Sequence, residues 1–276
     1  MYCQLGHAPE KTTDRKAYIS SSEILPQIEK TIDSGVHIDY LTFSGSGEPT
    51  LNSEIGKLIR KIKTITDIPI AVLTNGTLLQ HSEVRKALMD ADLVIPSLDA
   101  VTQDVFERIN RPHPSLRIED IKAGIKKFRQ EFKGQVWIEV LLVKGFNDTP
   151  EHLNQLKTVL DEIQPDKIQL NTVVRPPAET LALPLSKAEM EQVKAFLGDL
   201  CEIIADFTRA TDEFSAKLPE DTMLAMLKRR PMTAADLAAS LSLHRDAVIK
   251  WLQILVERGE IRPVQHKGHV YYEPEE

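Results

Sequence analysis

Two rhythms of apolar residues alternate along residues 20–173. In one they return every three or four positions, as Ile24, Ile28 and Ile32 do; in the other they cluster in short runs such as Val136-Trp137-Ile138. The first is the period of a helix with one buried face, the second that of a strand. Ser20 stands where a helix cap is needed and Gly35 where the helix must end. A strand over 40–43 follows, then a helix near 55–65, a strand at 70–73, a helix near 82–89 and a strand at 93–95. Further strands are expected over 136–143 and 167–173, each with its helix. Strand and helix in strict alternation build a parallel sheet, open or curled toward a barrel.

The pattern changes at about residue 212. A helix over 221–230 leads through Pro231 to a second helix capped by Thr233, and a third carries Val248, Leu252, Leu255 and Val256 and ends at Gly259. Segments 261–263 and 270–272 then read as a two-stranded hairpin around Gln265-His266-Lys267-Gly268-His269. This resembles a winged helix-turn-helix domain, so the chain divides into domains 1–211 and 212–276. On its third helix and wing, His244, Arg245, Lys250 and Lys267 are the groups that would meet nucleic acid. They are sparse, and a protein partner suits the same module.

Composition narrows the picture. The 276 residues, 42% of them hydrophobic, can bury an ordinary core. No run approaches the roughly 18 apolar residues of a membrane helix, which leaves the cytoplasm as the expected location. A formal net charge of -7 argues against an electrostatic grip on nucleic acid by the whole molecule. The two cysteines, Cys3 and Cys201, are far apart on different kinds of segment and make a poor disulfide. Cys201 sits in an apolar stretch that suits a buried structural thiol.

In parallel α/β folds the chemistry lies at the carboxyl ends of the strands. Here those ends are small and polar. After 40–43 comes Ser44-Gly45-Ser46-Gly47-Glu48-Pro49-Thr50, where glycines let the backbone approach a ligand and Glu48 can receive an ammonium. The same stretch also reads as a tight strand-to-helix turn capped by Thr50 or Asn52. The next two strands end in Thr74-Asn75-Gly76-Thr77 and in Ser97-Leu98-Asp99-Ala100. Glu139 lies inside an apolar run that ends at Lys144-Gly145-Phe146-Asn147-Asp148, so it either faces solvent on an edge strand or belongs to a site. Gln169 and Asn171 share one face of the last strand. Arg111 reads as a surface ion-pair residue, Trp137 and Trp251 as core, and 175–179 as a segment crossing the mouth of the barrel or leading to the second domain.

These tips carry a resemblance. Ser46-Gly47-Glu48-Pro49, Thr-Asn-Gly at 74–76, Ser-Leu-Asp at 97–99 and Lys-Gly-Phe-Asn-Asp at 144–148 resemble the radical S-adenosylmethionine enzymes. Tyr2-Cys3-Gln4-Leu5-Gly6 resembles the end of that family's CxxxCxxC cluster motif. The resemblance covers residues 1 to about 185. It implies an α/β fold, a partial (β/α)6 TIM-like barrel lacking its first strand, that binds a [4Fe–4S] cluster and S-adenosyl-L-methionine. On that likeness Cys3 is the third cluster ligand, and Gly47, Glu48 and Pro49 hold the methionine amino group. Asn75, Ser97 and Asp99 line the methionine and ribose, with Glu139 and Asn171 near the ribose and adenine.

The resemblance further implies an oxidoreductase that makes a 5′-deoxyadenosyl radical, served by an electron donor such as flavodoxin or ferredoxin. Its likeness to wyosine-forming iron–sulfur proteins points to tRNA as an alternative substrate, while a non-catalytic S-adenosylmethionine- or nucleic-acid-binding regulator is a reading of another class. Of three cluster cysteines only Cys3 is in the sequence. The expectation is that the other two, and the first strand, lie upstream in a longer gene, and that this chain alone is inactive.

Overall fold

A computed structural model describes residues 11–45, 47–174, 182–205, 207, 223–224, 226–228, 230–241, 245–266 and 269–275. The chain divides into two compact units, Met1–Val173 with Pro177–Ala205 and Val174–Pro176 with Asp206–Glu276.

In the first unit the alternation runs α1 (Ser21–Asp33), β1 (Leu41–Phe43), α2 (Ile55–Lys63), β2 (Ile70–Thr74), α3 (Ser82–Leu88), β3 (Leu93–Pro96), α4 (Gln103–Ile109) and α5 (Ile118–Glu131). It continues with β4 (Gln135–Leu142), α6 (Pro150–Ile163), β5 (Lys167–Thr172), α7 (Lys187–Leu197) and β6 (Cys201–Ile203). The six strands form one sheet in chain order, every neighbouring pair parallel. All carboxyl ends therefore lie along one edge.

Local chemistry explains some of the boundaries. The Ser20 hydroxyl accepts the Ser22 N–H at the start of α1, and Gly35, with φ of 74°, follows its end. Thr149 caps α6 with Pro150 in its first turn, and Ser186 and Glu189 form a reciprocal capping box on α7. The short strand β6 was not anticipated: three residues carry no periodicity, and pairing with β5 alone makes them a strand.

The two faces of the sheet differ. Along β4, Val136, Ile138, Val140 and Leu142 are buried, whereas Trp137, Glu139 and Leu141 are half-buried. In β5, Ile168, Leu170 and Thr172 alternate in the same way with Lys167, Gln169 and Asn171. Register places Ser97, Glu139 and Gln169 in one row, with Asn171 one step further along. Lower on that face Ala71, Leu93 and Ile95 pack with Leu73 and Trp137. The half-open face is apolar toward the amino ends of the strands and polar toward the carboxyl ends. Because β4 lies between β3 and β5, Glu139 is not on an edge strand.

The second unit holds β7 (Met232–Thr233), α8 (Ala234–Leu241), α9 (Arg245–Glu257), β8 (Ile261–His266) and β9 (His269–Pro274). Its strands form an antiparallel sheet in the order β7-β9-β8. Thr233 Oγ1 accepts the Asp236 N–H at 3.2 Å while Asp236 accepts the Thr233 N–H at 3.1 Å, a reciprocal cap on α8. Met223, Leu227, Leu237, Val248, Leu252, Leu255 and Ile261 make a core of its own. His244 and Lys267 lie outside the described residues, as do the side chains of Arg245 and Lys250 and much of the helix expected over 221–230.

Candidate functional site

The tips of β1 and β2 are tied by one carboxylate. Glu48 caps the short 3₁₀ turn Pro49–Leu51, where Pro49 needs no N–H partner. Its Oε1 accepts from Thr50 N at 3.0 Å, Thr50 Oγ1 at 2.5 Å and Thr74 Oγ1 at 2.6 Å, and its Oε2 accepts from Asn75 N at 2.7 Å. Thr50 and Thr74 are buried, so their hydroxyls lock Oε1, while Oε2 takes only Asn75 in this network. Beyond its chain neighbours, a Cβ added at Gly47 would meet no atom of the described residues within 4 Å. That space is open to a ligand, and the turn has room for a polar molecule against its backbone. Ser46 lies outside the described residues.

Asn75 is exposed, and its Oδ1 accepts from Thr77 N and Thr77 Oγ1 at 3.0 and 2.7 Å. Gly76, with φ of 71°, makes that turn possible. Ser97 is half-buried; its N–H donates to Thr74 O at 2.9 Å and it pairs with Glu139 in a single bridge.

Asp99 is buried and occupied by the protein. Its Oδ1 accepts from Leu141 N at 2.9 Å and its Oδ2 from Asn110 Nδ2 at 2.7 Å, joining the β3 tip to β4 and to the end of α4. Asn110 precedes Arg111, a non-glycine residue with φ of 48° placed directly before Pro112. Backbone held in the left-handed region by surrounding bonds is a mark of functional segments. The sequence reads Arg111 as a surface ion-pair residue, and the structure places it, half-buried, in the loop after α4.

Glu139 and Asn171 meet across β4 and β5, with Asn171 Nδ2 donating to Glu139 Oε1 at 3.1 Å. Burial raises the Glu139 carboxyl above the usual glutamate range, the Asn171 hydrogen bond opposes this, and the Asp99 charge adds to it. The tips thus form a linked series, Glu48 to Thr74 and Asn75, Thr74 to Ser97, Ser97 to Glu139, Glu139 to Asn171.

The remaining cysteine behaves differently. Cys201 is buried in β6, and burial pushes its thiol up to about 11 despite the nearby Lys194 and Lys157. A thiol held protonated is a poor metal ligand. Cys3 lies outside the described residues. Among the described residues no three His, Cys, Asp or Glu side chains converge as a metal site.

Residues 1–156 match the family model described as the radical SAM superfamily. The chain belongs to that superfamily. Curated relatives match over nearly its whole length. It is 33% identical over 264 residues to the UPF0026 protein of Helicobacter pylori (strain J99), covering 95% of this chain and 83% of that protein. It is 38% identical over 275 residues to a protein of Brachyspira hyodysenteriae named GTPase Obg, covering 99% of this chain but 40% of that relative's length. In fold, it is similar to a radical SAM methyltransferase from Sphaerobacter thermophilus, with a TM-score of 0.52 and 18% identity over 67% of this chain and 56% of that one. The described tips fit S-adenosylmethionine by the open space over Gly47 and by their donor and acceptor groups, whereas a cluster's thiolates are not among them.

Proposed function

We propose that this radical SAM protein binds S-adenosylmethionine along the carboxyl edge of β1 to β5, as the cofactor-holding part of an enzyme that uses it for radical chemistry. The observation that carries the reading is the linked series of tips beside an open turn at Gly47. In it Gly47, Glu48 and Pro49 take the ammonium, with Oε2 of Glu48 as the acceptor. Asn75 and Ser97 line the chain of the ligand, and Glu139 and Asn171 supply acceptor and donor to its ribose and base. Asp99 acts by holding β3 to β4. The ligand also carries a carboxylate, and Arg111, on the loop that follows α4, is a guanidinium suited to pair with it.

Cys3 would be one ligand of a [4Fe–4S] cluster, and such a cluster would supply the electron for reductive cleavage of the sulfonium. Its reductant is a one-electron carrier of the flavodoxin or ferredoxin class. The protein's own residues orient the ligand. In the second unit, the order of three helical segments and a hairpin supports a winged-helix reading. Acidic residues outnumber basic ones over 212–276, which favours a protein partner there over nucleic acid, tRNA included. No helix among the described residues is long and apolar enough to cross a membrane, and the cytoplasm is the compartment that suits the proposed cofactors.

Calorimetric titration with S-adenosylmethionine under anaerobic conditions tests the reading. Binding to the unmodified chain is expected, and Glu48→Gln, which keeps a carbonyl oxygen for Thr50 and Thr74 but loses the charge, is expected to weaken it by roughly 1.5–3 kcal/mol. Absence of binding to the unmodified chain overturns the reading. A second reading, a binder that never cleaves its ligand, draws on the sequence's two cysteines, one of them locked in β6. Formation of 5′-deoxyadenosine after reconstitution with iron and sulfide and reduction separates the two.

A further inference from the structure

The turn after β4 has no part in the scheme above, yet it joins the two strand tips at the centre of the site. Backbone pairing between β3 and β4 is short: Leu93 with Gln135, Val94 with Val136, then the isolated bridge of Ser97 with Glu139. Pro96 has no N–H to give, and the Ser97 N–H turns the other way, to Thr74 O. After Leu98 N donates to Glu139 O at 2.8 Å, the tips are joined by side chains, those of Asp99 and Asn147.

Asn147 is fully buried, and each polar atom of its amide is used. One Nδ2 proton goes to Asp99 O at 2.7 Å, on the β3 tip; the other goes to Leu141 O at 2.8 Å, on β4. Its Oδ1 accepts the Val143 N–H at 2.7 Å. The turn is shaped to deliver it there. Gly145 has φ of 76° and donates its N–H to Asp148 Oδ1 at 2.7 Å, Phe146 N donates to Val143 O at 3.1 Å, and the Arg108 guanidinium lies 4.8 Å over the Phe146 ring. The amide thus stands in for two missing rungs of the β3–β4 ladder.

We propose that Asn147 is a positioning residue, which sets the separation of the β3 and β4 tips and so holds Ser97 opposite Glu139 at the width the ligand needs. The proposal rests on the S-adenosylmethionine reading. A buried amide with three bonds in a water-poor setting is strong and directional. When it is removed, the stranded carbonyls of Asp99 and Leu141 can regain water only if the tips part. The buried face of the sheet does not have to move, so the change falls on the site.

The test compares Asn147→Ala and Asn147→Ser with Arg85→Ala. Arg85 is a buried side chain bonded to Leu79 O, Gln80 O and Glu131, none of which is on the β3 or β4 tip. In either Asn147 variant, amide hydrogen exchange at Leu98 and Leu141 is expected to quicken at least tenfold relative to Val72 and Val94, and S-adenosylmethionine affinity to fall at least tenfold. Arg85→Ala is expected to lower the melting temperature yet bind within about twofold of the unmodified protein. Fast exchange with unchanged affinity makes Asn147 merely structural and overturns the proposal, as does unchanged exchange. If Asn147→Ala does not fold, the serine variant decides. Should the unmodified protein bind no S-adenosylmethionine, that reading fails by itself, and exchange at Leu98 and Leu141 decides whether Asn147 holds the tips.

Discussion

Glu139 and Asp99 are both carboxylates at the site, and the protein treats them differently. Asp99 receives a donor on each oxygen, from Leu141 N and from Asn110 Nδ2. Glu139 receives only the Asn171 amide among its assigned bonds and lies partly buried near Asp99, so its ionised form is the costlier one in the fold. An acid whose folded pKa is raised contributes stability that is complete below its ordinary pKa and is lost as pH rises through the raised value. Glu139→Gln removes this dependence. Thermal unfolding followed from pH 4 to 8 is expected to show the variant melting above the unmodified protein at pH 8, with the two converging near pH 4. Parallel curves would mean that Glu139 is ionised without penalty.

Among the elements, α5 illustrates how tightly the outer layer meets the loops beneath the site. A Cβ at Gly124 would come 2.7 Å from the Leu79 carbonyl carbon and closer still to the Gln80 backbone nitrogen. The helix thus rests directly on the chain that follows the Thr74-Asn75-Gly76 tip. Backbone cannot yield as a side-chain end can, so Gly124→Ala is expected to cost about 1–3 kcal/mol, read as a lower denaturation midpoint in urea. A midpoint equal to that of the unmodified protein would show that α5 can shift outward. Strands with a clear apolar run were legible in the sequence: the run from Val136 to Val143 reads as a strand. Strand β6 was not, since its three residues become a strand through β5. The tip contacts were illegible for a related reason. Glu48 finds its donors at Thr74 and Asn75, and Asp99 finds its donor at Leu141, across separations that no local pattern records.

At the scale of the molecule, each of the two units has its own buried core, so each has its own source of cooperativity. Leu252 is fully buried in the second. Leu252→Ala is expected to destabilise that unit by about 2–5 kcal/mol, to lower one calorimetric transition and leave the other in place, and to leave S-adenosylmethionine affinity unchanged. A loss of affinity would tie the second unit to the site. The sequence by itself determined the order of strands and helices, the parallel sense of the sheet and the polar character of its carboxyl edge, because periodicity, caps and turn residues act within a few positions of one another. Tertiary structure alone decided which of those polar residues stand open and which are consumed by the fold. Asp99 and Asn147 became struts and Glu139 a half-buried acid because burial and hydrogen-bond partnership depend on what lies across the sheet rather than along the chain.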